Sequence, residues 1–227
     1  MRIQMNLEGK KVLVVGTGIS GIAAAELLAA QQIAFDIFDG NEKLTETAVR
    51  EKSQALSSCG VLIGDLPEAQ MDNYSYAVLS PGVPTDLPMI NGLRAHGVHI
   101  WGEIELAYAF SEGDVLAITG TNGKTTTTAL TGEIMKNYVS DVQVVGNIGI
   151  PYTRMAPDMT PETVTVAEIS SFQLETVEHF APKVSAILNI TPDHLNRHHT
   201  MENYIAAKER ITEGQSADDV CVLNYED

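Results

Sequence analysis

The 227-residue sequence has few basic residues for its length. Its 14 lysines and arginines stand against 30 aspartates and glutamates, which gives a formal net charge of −16 at pH 7. This sign is wrong for a surface that neutralises nucleic-acid phosphates or anionic lipid, so we expect neither nucleic acid nor a membrane as partner. An anionic nucleotide can still bind where backbone N–H groups, one or two lysines and a divalent cation supply positive charge locally.

Cysteine and long apolar runs are also scarce. Cys59 and Cys221 are the two cysteines, and they stand far apart without metal-ligand spacing, which predicts reduced structural thiols. No stretch approaches the ~20 apolar residues of a membrane span, and the N-terminus enters a strand too soon for a secretory signal. These features predict a cytoplasmic protein with enough apolar residues, 44%, for an ordinary core.

Short apolar strands alternate with helical segments through residue 102. "KVLVV" is β-branched and apolar, typical of a strand buried on both faces of a parallel sheet. A glycine turn, the helical "ISGIAAAELLAAQQ" and the strand "AFDIFD" complete a βαβ unit. With the later strands in "CGVLIG", "YAVLSPGV" and "GVHIWG", the pattern predicts a Rossmann-like α/β domain over residues 1–102.

A glycine fingerprint follows the first strand. Gly16-x-Gly18-x-x-Gly21 opens the helix, and Asp39 ends the next strand about 20 residues on. The glycines let a pyrophosphate approach the helix N-terminus, and the carboxylate can accept hydrogen bonds from ribose hydroxyls. Any ribose nucleotide with a pyrophosphate satisfies these requirements, so the motif leaves the nucleotide open. A purely structural glycine turn is the alternative.

A second α/β unit begins after Gly102. "EIELAYAFSEGD" reads as a helix and "DVLAITG" as a new buried strand. The later strands, in "VQVVGNIG", "TVTVAEISS", "VSAILNIT" and "DVCVLNYED", carry polar residues at their ends, where open α/β sheets bind ligands. We predict a P-loop-type α/β ATP-binding domain over residues 103–227, incomplete at its C-terminal side.

The strand "DVLAITG" runs into a loop that predicts binding of a triphosphate. Its first glycine lies three residues before the second, where the usual phosphate-binding loop has five. Lys124 can still reach a γ-phosphate, and Thr125 can ligate Mg²⁺. A plain strand-turn-helix is disfavoured because four consecutive threonines start a helix poorly. The predicted ATP-binding residues are Gly120, Thr121, Asn122, Gly123, Lys124, Thr125 and Thr126.

Two further side chains, Glu168 and His194, are candidates on local grounds. Glu168 closes a strand beside the loop, where Mg²⁺ needs a hard oxygen ligand. His194 also follows a strand, although such a histidine alone is more often a capping or core residue than a ligand. His198 and His199 are predicted to be surface residues. Taken locally, Lys208 in "MENYIAAKERIT" is a solvated lysine.

Taken together, these motifs resemble the Mur ligase family of ADP-forming amide ligases, over the whole chain. "GTNGKTTT" is shared by several such ligases, including folylpolyglutamate synthase, so it indicates the superfamily. "EISSFQLE" with "NITPDHLNRH" is similar to the branch that adds D-glutamate. The Rossmann-like first domain argues against the diaminopimelate-adding and dipeptide-adding branches, whose first domains differ.

The resemblance implies a reaction in two steps. ATP phosphorylates the carboxylate of UDP-N-acetylmuramoyl-L-alanine, and the amine of D-glutamate then attacks the acyl phosphate, in an enzyme that needs Mg²⁺ and is monomeric. The first motif would receive UDP rather than NAD. Where positions of this sequence match the family's motifs, the resemblance assigns them the family's roles. The residues that would contact the UDP-sugar are Gly18, Ile19, Ser20, Asp39, Ser80, Pro81, Gly82 and Asn147. The catalytic residues would be Lys124, Glu168, His194 and Lys208, and the metal ligands would be Thr125, Glu168, His194 and a carbamylated Lys208.

Two departures from the family pattern matter. Asn196 replaces an aspartate that many relatives have, which weakens a contact to His194 without removing a metal ligand. Family members also continue through the rest of the ATP domain and a third domain, so we expect the D-glutamate site to be absent and this chain not to be fully active alone. The alternatives are another Mur-type ligase, an NAD-dependent oxidoreductase, or a nucleotide-binding module without catalysis.

Overall fold

The computed structural model describes residues 7–227 and contains two parallel β-sheets. The first has the strand order β3-β2-β1-β4-β5, and the second has the order β10-β9-β6-β8-β7. The predicted α/β fold is confirmed. The strands are β1 (Lys11–Val15), β2 (Ala34–Asp39), β3 (Gly60–Ile63), β4 (Tyr76–Leu79), β5 (His99–Gly102), β6 (Asp114–Thr119), β7 (Val142–Gly146), β8 (Val164–Glu168), β9 (Val184–Ile187) and β10 (Val220–Leu223).

Helices connect the strands, as parallel pairing requires. The longer helices coincide with the predicted periodic segments, whereas the helices of four or five residues are too short to show an apolar repeat. The helices are α1 (Ile19–Ala30), α2 (Glu46–Arg50), α3 (Glu68–Met71), α4 (Pro88–Ala95), α5 (Glu103–Phe110), α6 (Lys124–Met135), α7 (Tyr152–Met155), α8 (Ser171–Leu174), α9 (Leu195–His198) and α10 (Met201–Glu209). None of those within residues 7–227 has the length and apolar character needed to cross a bilayer.

The register of the first sheet brings the glycine turn and two polar loops to one edge. Val15, at the end of β1, pairs with Phe38 on one side and Leu79 on the other. The next residue on each strand is therefore Gly16, Asp39 or Ser80. Because the three strands are parallel, these residues meet at the carboxyl edge of the sheet, where such sheets bind ligands.

The second sheet repeats this arrangement around β6. Ile118 on β6 pairs with Glu168 on β8, and Thr119 pairs with Ile187 on β9. The loop that starts at Gly120 thus begins between the ends of β8 and β9. At the far side, β10 is an edge strand, and all four of its residues are exposed.

Two buried carboxylates of α5 accept hydrogen bonds from the segments on either side of β8. Glu105 is fully buried and accepts hydrogen bonds from the backbone N–H groups of Glu178, His179 and Phe180, at 2.9, 2.8 and 3.2 Å. Glu103 accepts from the backbone N and the Oγ1 of Thr153, at 2.6 and 2.8 Å. Burial raises the pKa of the Glu103 carboxyl. These bonds hold the segments before and after β8 against the start of α5.

Candidate nucleotide and metal site

The turn between β1 and α1 is shaped by close backbone packing. A Cβ atom on Gly21 would lie 1.9 Å from the carbonyl oxygen of Gly16, so only glycine fits there. Ser80 faces this turn, and its Oγ is buried without a hydrogen-bond partner among the described residues. Gly18 is the N-cap of α1 and supplies no side-chain acceptor, so the first N–H groups of the helix are open to a ligand. A buried hydroxyl beside open helix N–H groups fits an anionic nucleotide.

Asp39 holds the glycine turn through hydrogen bonds to Thr17. Its Oδ2 accepts from Thr17 N at 3.0 Å and from Thr17 Oγ1 at 2.7 Å, and its Oδ1 accepts from Asn41 N at 3.0 Å. Burial acts to raise the pKa of Asp39, but the hydrogen bonds from Thr17 and Asn41 and the charge of Lys52 outweigh it and lower the pKa. Three of the roughly four acceptor positions of the carboxylate are occupied, which leaves room for about one ribose hydroxyl.

Lys52 is a part of this turn that the sequence did not indicate. Its Nζ donates to the carbonyl oxygen of Thr17 at 2.8 Å and to Thr17 Oγ1 at 2.9 Å. Lys52 lies 35 residues from Thr17, outside any motif, so no spacing rule could have found it. The ammonium group adds positive charge at the edge where the nucleotide is predicted to bind.

The loop between β6 and α6 has the backbone of a phosphate-binding turn. Gly123 has φ 84°, in the left-handed region that favours glycine, and α6 begins at the next residue. The N–H groups of the first helical turn, which includes Lys124, Thr125 and Thr126, have no acceptor within the helix and carry the positive end of its dipole. Lys124 Nζ donates to the carbonyl oxygens of Gly120 and Thr121, both at 2.9 Å, so the ammonium lies on the loop.

Asn189 supports this loop from β9. Its backbone oxygen accepts from Thr121 N at 2.8 Å, its Oδ1 accepts from Asn122 N at 2.8 Å, and its Nδ2 donates to Asn122 O at 2.9 Å. Asn189 was not predicted from the sequence, although it lies just after a strand, in "ILNIT", where site residues often collect. The three bonds fix the loop before any ligand binds.

Lys208 reaches the same loop from α10. It is 1% exposed, its Nζ donates to the carbonyl oxygen of Gly120 at 2.8 Å, and the ring centroid of Tyr204 lies 4.6 Å from the Nζ. The local expectation of a solvated lysine was therefore wrong, because one turn of α10 faces the loop rather than solvent. Burial, together with the nearby charge of Lys124, lowers the pKa of Lys208 to about 8.

The buried ammonium of Lys208 gives the protein's stability a pH dependence of defined sign. In its pKa window, from about 8 in the folded chain to 10.5 in the unfolded chain, the unfolded state binds more protons, so stability rises with pH. We expect the free energy of unfolding, relative to Lys208→Met, to increase by about 3 kcal/mol across that window. Urea unfolding of both proteins in metal-free, CO₂-free buffer measures it. A difference that stays constant with pH would contradict the buried, charged lysine.

Glu168 presents a buried carboxylate oxygen at the end of β8. The residue is 1% exposed, its Oε1 accepts from Asn147 Nδ2 at 2.7 Å, and its Oε2 has no hydrogen-bond partner among the described residues. An unpartnered buried carboxylate oxygen is costly unless a ligand satisfies it. A hard cation that prefers oxygen fits this position.

The site around Glu168 can suit Mg²⁺ because that ion needs few ligands from the protein. Among residues 7–227, no three His, Cys, Asp or Glu side chains are grouped so as to hold a metal ion. Mg²⁺ usually keeps several waters and binds one or two carboxylates together with substrate phosphates. Glu168 beside the phosphate loop therefore suits Mg²⁺ better than a cation that requires a full cage of protein ligands.

His194 makes a different set of contacts from the other predicted catalytic residues. It has φ 52° at the start of α9, its side chain is 52% exposed, and its ring centroid lies 4.9 Å from that of Phe172. The structure thus brings Lys124 and Lys208 together at Gly120, and Asn147 to Glu168, while His194 contacts Phe172 and Asp193.

The two neighbouring histidines differ in exposure. The side chain of His199 is 65% exposed, as predicted. His198 is 5% exposed, and its Nε2 lies 2.9 Å from Ser171 Oγ, so the prediction of a surface residue was wrong there. In the short helix α9 only His198 is buried, and the sequence could not show this because α8 packs beside it only in the folded chain.

Comparison with known proteins supports this fold. The family description "Mur ligase MurD-like, N-terminal domain" matches residues 10–102, and "Mur ligase middle domain" matches residues 118–227. The chain belongs to the Mur ligase family, as its motifs predicted.

Within that family, similar curated proteins carry one name. The chain is 55% identical to the UDP-N-acetylmuramoylalanine–D-glutamate ligase of Lachnoclostridium phytofermentans, over 98% of this chain and 49% of that protein. Proteins of the same name from Lachnospira eligens and Clostridioides difficile are 54% and 50% identical, each over 98% of this chain and 49% of the relative. The chain spans about half the length of the curated relatives it matches.

Solved structures support the fold. The UDP-N-acetylmuramate:L-alanyl-γ-D-glutamyl-meso-diaminopimelate ligase of Neisseria meningitides matches with a TM-score of 0.57 and 15% identity, over 96% of this chain and 72% of that one. The UDP-N-acetylmuramate-alanine ligase of Thermotoga maritima matches with a TM-score of 0.53 and 24% identity, over 96% of this chain and 50% of that one. At these identities the likeness concerns the fold alone.

Proposed function

We propose that this chain forms the nucleotide-binding part of an ATP-dependent, ADP-forming ligase that adds D-glutamate to UDP-N-acetylmuramoyl-L-alanine. The observation that carries the proposal is the meeting of Lys124 and Lys208 at the carbonyl oxygen of Gly120, on a loop that ends at the N-terminus of α6. The ammonium group of Lys124 and the helix dipole at this loop suit a triphosphate, and the amine of Lys208 lies beside them, where its carbamylated form would hold a metal ion. The names of the relatives supply the acceptor and the amino acid.

The reaction needs positioning and charge stabilisation rather than a protein nucleophile. In the first step an oxygen of the substrate carboxylate attacks the γ-phosphorus of ATP, and the bond to the β-phosphate oxygen breaks to give an acyl phosphate and ADP. Lys124 and the first N–H groups of α6 stabilise charge on the transferred group. The amine of D-glutamate then attacks the acyl carbon, phosphate leaves, and the nitrogen loses a proton as the amide forms.

Mg²⁺ would be held by Thr125, Glu168, His194 and Lys208 in its carbamylated form, and when bound it neutralises charge on the phosphate oxygens. The Oε2 of Glu168, which lacks a hydrogen-bond partner among the described residues, supports the assignment of Glu168. For Lys208, a pKa of about 8 leaves about a tenth of the amine neutral at pH 7. A neutral amine can attack CO₂ through its nitrogen and release a proton, which gives an anionic carbamate.

The edge of the first sheet is the proposed site for the UDP part of the acceptor. Ser80 supports this assignment because its buried hydroxyl faces the glycine turn and has no hydrogen-bond partner within residues 7–227. The remaining proposed contacts come from Gly18, Ile19, Ser20, Asp39, Pro81, Gly82 and Asn147. These substrates would place the reaction in the cytoplasm, and we propose a domain boundary between residues 102 and 103, where β5 ends and α5 begins.

Calorimetric titration with UDP-N-acetylmuramoyl-L-alanine, and separately with NADH, tests this function in Mg²⁺ buffer. We expect binding of the UDP-sugar alone, and we expect Ser80→Ala to weaken it about tenfold because one buried hydrogen bond is lost. Ser58→Ala, at an exposed position within residues 7–102, is the control and should leave the affinity unchanged. Saturable binding of NADH that UDP does not displace would overturn the ligase proposal in favour of a dinucleotide-binding protein.

A further inference from the structure

Arg197 connects the two halves of the chain, residues 7–102 and residues 103–227, beside the proposed site. Its Nη2 donates to Glu175 Oε2 at 2.7 Å and its Nε donates to Glu175 Oε1 at 3.3 Å, so the interaction with the carboxylate is bidentate. The same Nη2 donates to the carbonyl oxygen of Val83 at 2.9 Å. Val83 directly follows Ser80-Pro81-Gly82, and its N–H donates to Ser80 O at 2.9 Å. Arg197 therefore ties the loop after β4 to the second half.

Glu175 receives bonds from both halves as well. Thr85 Oγ1, in the loop after β4, donates to Glu175 Oε2 at 3.1 Å, and His198 Nδ1 lies 3.4 Å from Glu175 Oε1. The side chains of Arg197 and Glu175 are only 12% and 14% exposed. A shielded, two-pronged pair of this kind holds its geometry better than a solvated ion pair does.

Arg197 is also close in structure to His194. The N–H of Arg197 donates to His194 O at 2.9 Å, so the two residues share one helical turn. The guanidinium lies 5.0 Å from the ring centroid of Phe172, and that ring lies 4.9 Å from the imidazole of His194. Movement of the Arg197 side chain would therefore shift the packing of His194.

We propose that Arg197 and Glu175 are positioning residues that set the distance between the Ser80–Gly82 loop and the turn carrying His194. The inference rests on the proposed function in one respect, namely that a single UDP-sugar substrate contacts both halves. UDP alone would be held by the first sheet, whereas the N-acetylmuramoyl-L-alanine part would extend toward the second. Breaking the Arg197–Glu175 pair should therefore lower the affinity for the whole substrate and leave the affinity for UDP nearly unchanged.

Another ion pair between the halves provides a matched control. Arg154 Nη2 lies 3.4 Å from Glu26 Oε2, with side chains 49% and 39% exposed, and neither residue belongs to the Ser80–Gly82 loop or to the turn of His194. Arg154→Met removes a charge between the two halves without touching the proposed site.

The test is calorimetric titration of wild type, Arg197→Met, Glu175→Gln and Arg154→Met with UDP and with UDP-N-acetylmuramoyl-L-alanine. We expect the first two variants to lose at least about tenfold in affinity for the whole substrate and less than about twofold for UDP. Arg197→Lys should recover part of the loss, because a lysine can reach one of the two acceptors. Arg154→Met should match wild type. Equal losses for both ligands, or no loss, would overturn the positioning role.

Failure of the UDP-sugar to bind the wild-type protein would count against the proposed function itself. A second measurement tests the positioning role independently of that outcome. Nitroxide labels on Asp65→Cys and Glu133→Cys, in a Cys221→Ser background, report the distance between the two halves by pulsed electron paramagnetic resonance. Arg197→Met should broaden this distance distribution, and Arg154→Met should leave it as in wild type. An unchanged distance distribution in Arg197→Met would refute the positioning role of Arg197, whichever ligand the site binds.

Discussion

Replacement of Lys124 by alanine is expected to weaken binding of Mg–ATP by about 100-fold or more. The Nζ of Lys124 lies 2.9 Å from the carbonyl oxygens of Gly120 and Thr121, so in the free protein it is held at the loop where the phosphates are proposed to bind. Alanine removes both this charge and the bridge that shapes the loop. The dipole of α6 by itself does not replace a direct contact with the γ-phosphate.

Two probes and one control make the Lys124 test specific. Mg–tripolyphosphate should show the same loss as Mg–ATP, because it engages the phosphate loop without adenine or ribose contacts. Lys136→Ala changes an exposed lysine just beyond the other end of α6 and should keep affinity within about twofold of wild type. Binding by Lys124→Ala within about threefold of wild type would mean that the loop does not hold the triphosphate.

Replacement of Glu105 by alanine is expected to lower the free energy of unfolding by about 3–5 kcal/mol. Its carboxylate is the acceptor for the backbone N–H groups of Glu178, His179 and Phe180. Alanine would leave these donors without their acceptor in a buried place and would open a cavity as well. The loss should be among the largest for a single polar residue of this chain, although Glu105 lies outside every binding motif.

Urea denaturation, followed by circular dichroism, measures this effect. Glu105→Gln keeps one acceptor oxygen and nearly the same volume, so it should lose less than Glu105→Ala does. Glu162→Ala, at an exposed position, should change the stability by no more than about 0.5 kcal/mol. Equal stability of Glu105→Ala and Glu162→Ala would show that the three amides find other partners.

The buried positions of Lys208 and His198 show where reading the sequence locally failed. Both lie near the C-terminal end of the chain, on short helices that carry many polar residues. Periodicity describes one element at a time, so it cannot show which polar face another element will cover. The family resemblance did indicate a role for Lys208, whereas nothing in the sequence indicated that His198 would pack against Ser171.

The same limit applies to the residues that connect distant segments. Lys52, Asn189, Glu105 and Arg197 each bond to backbone groups from 35 to 114 residues away. A backbone N–H or carbonyl group is present at every position, so the sequence of the partner segment carries no signal of such a bond. By contrast, Gly21 was predictable, because a helix that starts against the preceding turn leaves no space for a Cβ atom.

The sequence by itself determined the alternation of strands and helices, the two glycine loops and the strand ends at which polar residues gather. These are local properties, since apolar periodicity, β-branching and glycine act over a few residues. Only the tertiary structure decided that Lys124 and Lys208 meet at Gly120, that one oxygen of Glu168 stays unpartnered, and that Arg197 spans the two halves. Such contacts depend on strand order and helix packing, which bring together side chains far apart in the chain and set their burial and charge.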